Sequence, residues 1–166
     1  MKKVVLAFSG GLDTSFCVPY LKNEKGLEVH TVLVNTGGFS KEEAARIEER
    51  ALTLGAASHT TVDAVDTYYN KGLKYLIYGN VLKNNTYPLS VSSERVFQAL
   101  EVLNTVKKIG AEYVAHGSTG AGNDQVRFDI VFEIMAPEVE ILAPIRELEI
   151  SRKEEIDYLV KHGFNF

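Results

Sequence analysis

Residues 4–15 read VVLAFSGGLDTS, an apolar run that enters a Ser-Gly-Gly turn and then the start of a helix. The two glycines allow positive φ and let a bulky anion approach the backbone closely. The first turn of the following helix would point free N–H groups and a positive dipole end at that anion. Ser9, Thr14 and Ser15 add three hydroxyl donors. Residues 9–15, called the phosphate loop below, are therefore predicted to bind pyrophosphate.

The phosphate loop is not the usual P-loop, in which a lysine reaches the outer phosphates. No lysine follows Gly11, and Asp13 stands there instead. A carboxylate beside phosphates implies either a Mg²⁺ ion between them or a helix-capping role. The pattern resembles the SGGxDS loop of the ATP pyrophosphatases, which cleave ATP between the α and β phosphates. The alternative is an ordinary strand–turn–helix corner built from small residues.

The composition is typical of one globular domain. The chain has 166 residues, of which 45% are hydrophobic and 24% charged, and its net charge is −4. This acidic balance argues against nucleic acid as the main partner. The first apolar stretch is too short for a signal peptide or a membrane span, so we expect no membrane association. The single cysteine, Cys17, cannot form an internal disulfide, which favours the cytoplasm.

Strands and helices are predicted to alternate along the chain, judging from the spacing of apolar residues and from the helix caps. The predicted strands are residues 3–8, 28–34, 57–62, 111–115 and 139–142. The predicted helices are residues 12–24, 40–54, 63–79, 92–108 and 151–162, with a polar loop at residues 80–91. Such alternation predicts an α/β fold, in which a parallel five-stranded sheet has helices on both faces.

A second informative stretch, HGSTGAGNDQVRF, occupies residues 116–128 and follows the predicted fourth strand. It should therefore lie at the same carboxyl edge of the sheet as the phosphate loop. Thr119, Asn123, Asp124 and Arg127 offer a hydroxyl, an amide, an anion and a cation. This set suits a zwitterionic amino acid, with Arg127 for its carboxylate and Asp124 for its ammonium group or for a metal ion. The alternative is a glycine-rich surface loop with a chance Asp–Arg pair.

Four stretches in this order carry a closer resemblance: residues 7–15, residues 87–92, residues 116–128, and LAPIR at residues 142–146. Together they resemble the nucleotide-binding domain of argininosuccinate synthase, over nearly the whole chain. The resemblance implies an adenine nucleotide alpha hydrolase-like fold. It also implies a ligase of arginine biosynthesis that joins citrulline to aspartate and splits ATP into AMP and pyrophosphate.

The resemblance also implies roles for individual positions, without any covalent nucleophile. Citrulline would be held by Tyr87, Ser92, Asn123 and Arg127, and aspartate by Thr119, Asn123 and Asp124. Either Asp13 or Asp124 would hold Mg²⁺. ATP would be contacted by Ala7, Phe8, Ser9, Gly10, Gly11, Leu12, Asp13, Thr14, Ser15, Val34 and Gly117.

The chain departs from the family in its length. The family carries a second, larger domain for synthesis and oligomerisation and is expected to form a homotetramer, whereas this sequence stops at Phe166. We expect residues 1–166 to be the ATP-binding domain and the isolated chain to be inactive or nearly so. Two alternatives stay open. One is another ATP pyrophosphatase, such as an amide-forming synthetase or a tRNA sulfur transferase. The other is a nucleotide-binding module without catalysis.

Overall fold

The computed structural model describes residues 1–165, except for the side chain of residue 88, so Phe166 of the predicted domain lies outside it. The strands are β1 (Lys3–Ala7), β2 (Glu28–Asn35), β3 (Ser58–Asp63), β4 (Leu82–Lys83), β5 (Tyr87–Pro88), β6 (Tyr113–His116) and β7 (Glu140–Leu142). The helices are α1 (Leu12–Asn23), α2 (Lys41–Thr53), α3 (Val65–Tyr68), α4 (Lys74–Tyr78), α5 (Ser90–Ile109), α6 (Asp124–Met135), α7 (Pro144–Leu148) and α8 (Arg152–Lys161).

Five of these strands form one parallel sheet in the order β3-β2-β1-β6-β7, which confirms the predicted fold class. The strand β1 is central, and β2 and β6 pair with it on its two sides. Because the strands are parallel, the loops that follow β1, β2 and β6 emerge at one edge of the sheet. These are the loops in which the sequence places its candidate ligand-binding residues.

Alternate residues of β1 face opposite sides of the sheet and enter two hydrophobic cores. Val4 and Leu6 pack with α1, α2, α7 and α8, whereas Val5 packs with α5 and α6. All three side chains are fully buried. A strand covered on both faces therefore reads as a continuous apolar run, as this sequence does. The sheet is thus covered by helices on both faces, as predicted.

Two of the helices that the sequence predicts begin with capping boxes. The Ser40 side chain accepts a hydrogen bond from the Glu43 backbone, and the Glu43 side chain accepts one from the Ser40 backbone. Ser151 and Glu154 make the same reciprocal pair at the start of α8. Each pair satisfies two backbone N–H groups that the helix leaves without an internal acceptor.

Three details of the predicted elements are wrong. The predicted helix 63–79 is α3, a π-helical turn at Tyr69–Leu73 and α4, and it begins at Val65 because Asp63 still belongs to β3. The predicted loop 80–91 contains the short antiparallel pair β4–β5 and the first two residues of α5. The short helix α7 was not predicted. Among residues 1–165, no helix is both long enough and apolar enough to cross a membrane.

Candidate functional site

A cavity of about 610 Å³ opens at the carboxyl edge of the sheet, between the loops that follow β1, β2 and β6. Its volume falls within the range of small-molecule sites. It contains nine of the eleven positions proposed for ATP: Ala7, Phe8, Ser9, Gly11, Leu12, Asp13, Thr14, Val34 and Gly117. The topology therefore brings most of the predicted nucleotide residues together around one space.

The amino-terminal end of α1 faces this cavity without a cap. Gly11 occupies the N-cap position, and no side chain accepts a hydrogen bond there. The first N–H groups of a helix have no acceptor within the helix, so this end presents donors and a positive dipole. The hydroxyl of Thr14 donates to the Gly11 carbonyl at 3.2 Å and lies 3.4 Å from the hydroxyl of Ser9. This arrangement suits a phosphate group.

The two glycines of the phosphate loop are needed for different reasons. Gly10 has a φ of +76°, a left-handed conformation that favours glycine. Gly11 has a φ of −72°, so the expectation of positive φ at both glycines is wrong for Gly11. A side chain at Gly11 would meet only the Ser9 hydroxyl, at 3.5 Å. Gly11 therefore leaves room for an anion rather than permitting an unusual backbone shape.

Two proposed ATP residues lie outside the cavity lining. Ser15 is fully buried, and its hydroxyl accepts a hydrogen bond from the Arg50 Nε at 3.0 Å. Its backbone N–H donates to the Gly11 carbonyl within the first turn of α1. Gly10 packs against α2, where an added Cβ would lie 3.1 Å from Ile47. Both residues shape the phosphate loop from behind.

Part of the remaining wall of the cavity is apolar. Val32, Leu33 and Val34 come from β2, while Phe128 and Phe39 come from α6 and the loop after β2. An apolar slot with a few polar groups suits a flat heterocyclic base. The sequence assigns Val34 to ATP, but it does not assign to ATP the other residues of this wall: Val32, Leu33, Gly38, Phe39, Glu94, Arg95, Gln98, Val102, His116, Ser118, Phe128 and Arg152.

Helix α5 contributes several of the missed residues, and its sequence contained a usable signal. Glu94, Gln98 and Val102 are four positions apart and therefore share one face of the helix. Glu94 also accepts a short hydrogen bond of 2.5 Å from the Thr36 hydroxyl in the loop after β2. Because α5 was predicted from its apolar residues, its polar positions were not assigned to the site.

The residues proposed for the two amino acids do not line this cavity. Asp124 is held between two arginines, with Oδ1 2.6 Å from the Arg127 Nη1 and Oδ2 3.2 Å from the Arg95 Nε. Its side chain nevertheless stays 45% exposed. The remaining positions are distributed over the surrounding elements: Tyr87 and Thr119 are exposed, Ser92 is half-buried in α5, and Asn123 is exposed before α6.

Asp13 has a second carboxyl group beside it. Glu155 on α8 is only 2% exposed, and its Oε2 has no hydrogen-bond partner among the described residues. Burial and the neighbouring Asp13 raise the pKa of Glu155 to about 7. No group of three or more His, Cys, Asp or Glu side chains suited to a metal occurs within residues 1–165. A cation at Asp13 would therefore need oxygen ligands from a bound molecule.

Comparison with known proteins agrees with this geometry. The family model described as "Arginosuccinate synthase N-terminal HUP domain" matches residues 3–165. The argininosuccinate synthase of Saccharolobus solfataricus is 45% identical over 161 residues, which cover 97% of this chain and 41% of the relative. That of Xylella fastidiosa is 46% identical over 167 residues, covering 98% of this chain and 41% of the relative.

The chain thus spans about two fifths of the length of these curated relatives. The HUP domain is an α/β fold of the adenine nucleotide alpha hydrolase-like class, in agreement with the five-stranded parallel sheet. The family model extends over almost every described residue, from β1 to the end of α8. The chain therefore belongs to the family of argininosuccinate synthase N-terminal HUP domains.

Proposed function

We propose that this chain is the ATP-binding domain of an argininosuccinate synthase. The enzyme would join citrulline to aspartate in arginine biosynthesis and release AMP and pyrophosphate. The observation that carries the proposal is the uncapped amino-terminal end of α1, which opens into the cavity beside the phosphate loop. We infer the reaction itself from membership of the family. The same membership supports a cytoplasmic enzyme that is a homotetramer in its longer form.

ATP would bind with its phosphates at the start of α1. Ser9 and the N–H groups of the first turn would donate hydrogen bonds to them, and the Thr14 hydroxyl would exchange its bond to the Gly11 carbonyl for one to a phosphate oxygen. The base would enter the apolar slot beside Val34 and Phe128. In this orientation, fixed hydrogen-bond donors contact the charged phosphates, and apolar side chains contact the flat base.

Asp13 is the better of the two candidates for holding Mg²⁺. It lines the cavity at the phosphate end, whereas Asp124 does not belong to the cavity lining. Asp13 would share the ion with phosphate oxygens, because hard cations prefer oxygen ligands. When bound, Mg²⁺ would stabilise charge on the phosphates as pyrophosphate leaves.

The two amino acids would bind at the rim formed by α6 and the loop before it. Arg127 would hold the citrulline carboxylate, and the exposed Asp124 carboxylate would accept the aspartate ammonium group. The citrulline ureido oxygen is a weak nucleophile, so the rate would come mainly from its placement in line with the α phosphate. The aspartate amine would then displace AMP, and no covalent intermediate with the protein is required.

A chimeric enzyme tests this proposal directly. Residues 1–165 would replace the matching region of the Xylella fastidiosa argininosuccinate synthase, which is 46% identical to the chain. We expect this chimera to form argininosuccinate and to sustain pyrophosphate release over many turnovers only when both citrulline and aspartate are present. The isolated chain should bind ATP without appreciable turnover, because an open site does not hold the substrates in line.

Two controls separate the alternatives. The chimera carrying Gly11→Val should lose pyrophosphate release, because the valine would occupy the space where phosphates bind. A folded chimera that releases pyrophosphate with other acceptors, but not with citrulline and aspartate, would identify a different ATP pyrophosphatase. A folded chimera that binds ATP but never cleaves it would favour a nucleotide-binding module without catalysis.

A further inference from the structure

His116 lies at the end of β6 and has both ring nitrogens engaged. Its side chain is only 1% exposed. Its Nε2 is 2.9 Å from the Asp129 Oδ1, and its Nδ1 accepts a hydrogen bond from the Ser118 backbone N–H at 3.2 Å. Because Nδ1 accepts a hydrogen bond and Nε2 faces a carboxylate, the ring is neutral and carries its proton on Nε2.

The carboxylate that fixes His116 is itself held by an arginine. The Oδ2 of Asp129 accepts a hydrogen bond from the Arg146 Nη1 at 2.5 Å. The same Nη1 donates to the Gln125 Oε1 at 3.1 Å, and the Gln125 Nε2 donates to the Gly120 carbonyl at 2.7 Å. Arg146 therefore anchors two hydrogen-bonded paths, one through Asp129 and His116 and the other through Gln125. Both paths end on the backbone of the loop after β6.

This loop packs closely against the start of α1. A Cβ built on Gly117 would lie 2.9 Å from the Thr14 Cγ2 and 3.2 Å from the Thr14 backbone nitrogen. Ser118, whose N–H is held by His116, lines the cavity. The position of Gly117 and Ser118 therefore sets the width of the cavity beside the phosphate loop.

We propose that His116 is a positioning residue for nucleotide binding: with Asp129 and Arg146, it fixes residues 117–120 against the phosphate end of the cavity. The inference rests on the proposed function, since it assigns the loop to an ATP site. It also makes the site sensitive to acid. Protonation of Nδ1 would place a donor against the Ser118 N–H and would remove the hydrogen bond that holds the loop.

The surroundings of the ring define the pH range of this effect. The charged groups around His116 are Asp129 on α6 and Arg146 and Glu147 on α7. Burial lowers the pKa of His116 below its usual value near 6.5, although Asp129 opposes this shift. The ring is therefore neutral at neutral pH, and the loop should loosen only as the pH falls below that value.

Calorimetric titration of the 166-residue chain with Mg²⁺–ATP, from about pH 7.5 to about pH 5.5, tests the role of His116. The amide oxygen of His116→Asn can take the place of Nδ1 and does not titrate. We expect this variant to bind within about threefold of the parent at the higher pH. At the lower pH, the parent should have lost severalfold more affinity than the variant, but less than about tenfold, because the pKa of His116 lies below its usual value. His116→Phe should bind about tenfold more weakly throughout, because it leaves the Ser118 N–H without an acceptor.

The matched control is His30→Asn, near the amino-terminal end of β2 and away from the cavity. The ATP affinity of this variant should depend on pH as the parent's does. The titration of ATP itself cancels, because every variant binds the same ligand. An independent measurement is the ¹⁵N NMR signal of the His116 ring, which should show the proton on Nε2 in the parent.

A parent chain that binds no ATP would overturn the proposed function, and this inference with it. If the parent binds ATP, an unchanged affinity in folded His116→Phe would overturn the inference alone. A dependence of affinity on pH that is the same in His116→Asn and the parent would also overturn the inference alone. So would an NMR signal that places the ring proton of the parent on Nδ1.

Discussion

At the scale of single residues, Glu155 is the side chain whose environment least suits its charge. It is buried between α8 and α1, where Asp13 is its neighbour. Its pKa is raised to about 7, chiefly by burial, so the folded protein retains a proton that the unfolded chain would release near pH 4.5. The stabilising contribution of this proton is complete below pH 4.5 and is lost as the pH rises through 7.

Glu155→Gln should therefore change how stability depends on pH. The variant and the parent should be similarly stable in acid, because the amide resembles the protonated acid. Above about pH 8, the variant should be more stable by on the order of 2 kcal/mol, because it has no buried carboxylate. Thermal and urea unfolding in metal-free buffer measures this, with exposed Glu138→Gln as the control. Parallel stability curves for Glu155→Gln and the parent would contradict the assignment.

The candidate site was predictable wherever a residue's role follows from its place in a motif. Ser9, Gly11 and Thr14 line the cavity because they lie in the turn between a parallel strand and the helix that follows it, at the carboxyl edge of the sheet. The same motif assigns Ser15 to ATP, yet as the fourth residue of α1 its side chain points to Arg50 instead. Asp124 also pairs with Arg95, which is 29 residues away in the sequence, and no local pattern shows such a contact.

At the scale of elements, the contact between α1 and the loop after β6 organises the site. The Gly117 backbone approaches the first turn of α1 so closely that a Cβ would lie 3.3 Å from the Asp13 carbonyl carbon. Backbone atoms cannot move aside as a flexible side chain can. The two elements therefore need a glycine at this position in order to keep their spacing.

Gly117→Ala should push the loop away from α1. We expect a loss of stability of about 1–3 kcal/mol, together with weaker ATP binding, because overpacking displaces the backbone. The matched control is Gly120→Ala in the same loop, where the nearest atom to an added Cβ is the Arg146 Cγ, at 3.9 Å. Denaturant unfolding and calorimetry compare the two variants. Equal stability and equal affinity for both would show that this close approach is unimportant.

The long elements were predictable because their signals are local. The capping boxes at Ser40 and Ser151 mark two helix starts, and the apolar runs mark the buried strands. The strands β4 and β5 have only two residues each, which is too few for an alternation of apolar and polar residues to be recognised. They form because they pair with each other, and the sequence does not show this pairing. Helix α7 has five residues, and its one signal, Pro144 in the first turn, was not used.

At the scale of the whole molecule, the sheet order explains why distant parts of the sequence form one site. The phosphate loop follows β1, and the strands on either side of β1 are β2 and β6. The loops from these three neighbours therefore meet around the same cavity. The central claim is that this cavity binds ATP with its phosphates at the uncapped start of α1.

Calorimetric titration of Mg²⁺–ATP into the parent chain and Gly11→Val tests this claim most directly. The backbone at Gly11 is extended and accepts a valine, and the added side chain would enter the space for phosphates. We predict saturable binding to the parent, and binding at least about tenfold weaker to Gly11→Val. The control Thr53→Val, at an exposed position of α2, should bind like the parent. Undiminished affinity in folded Gly11→Val, or no binding to the parent, would contradict the account.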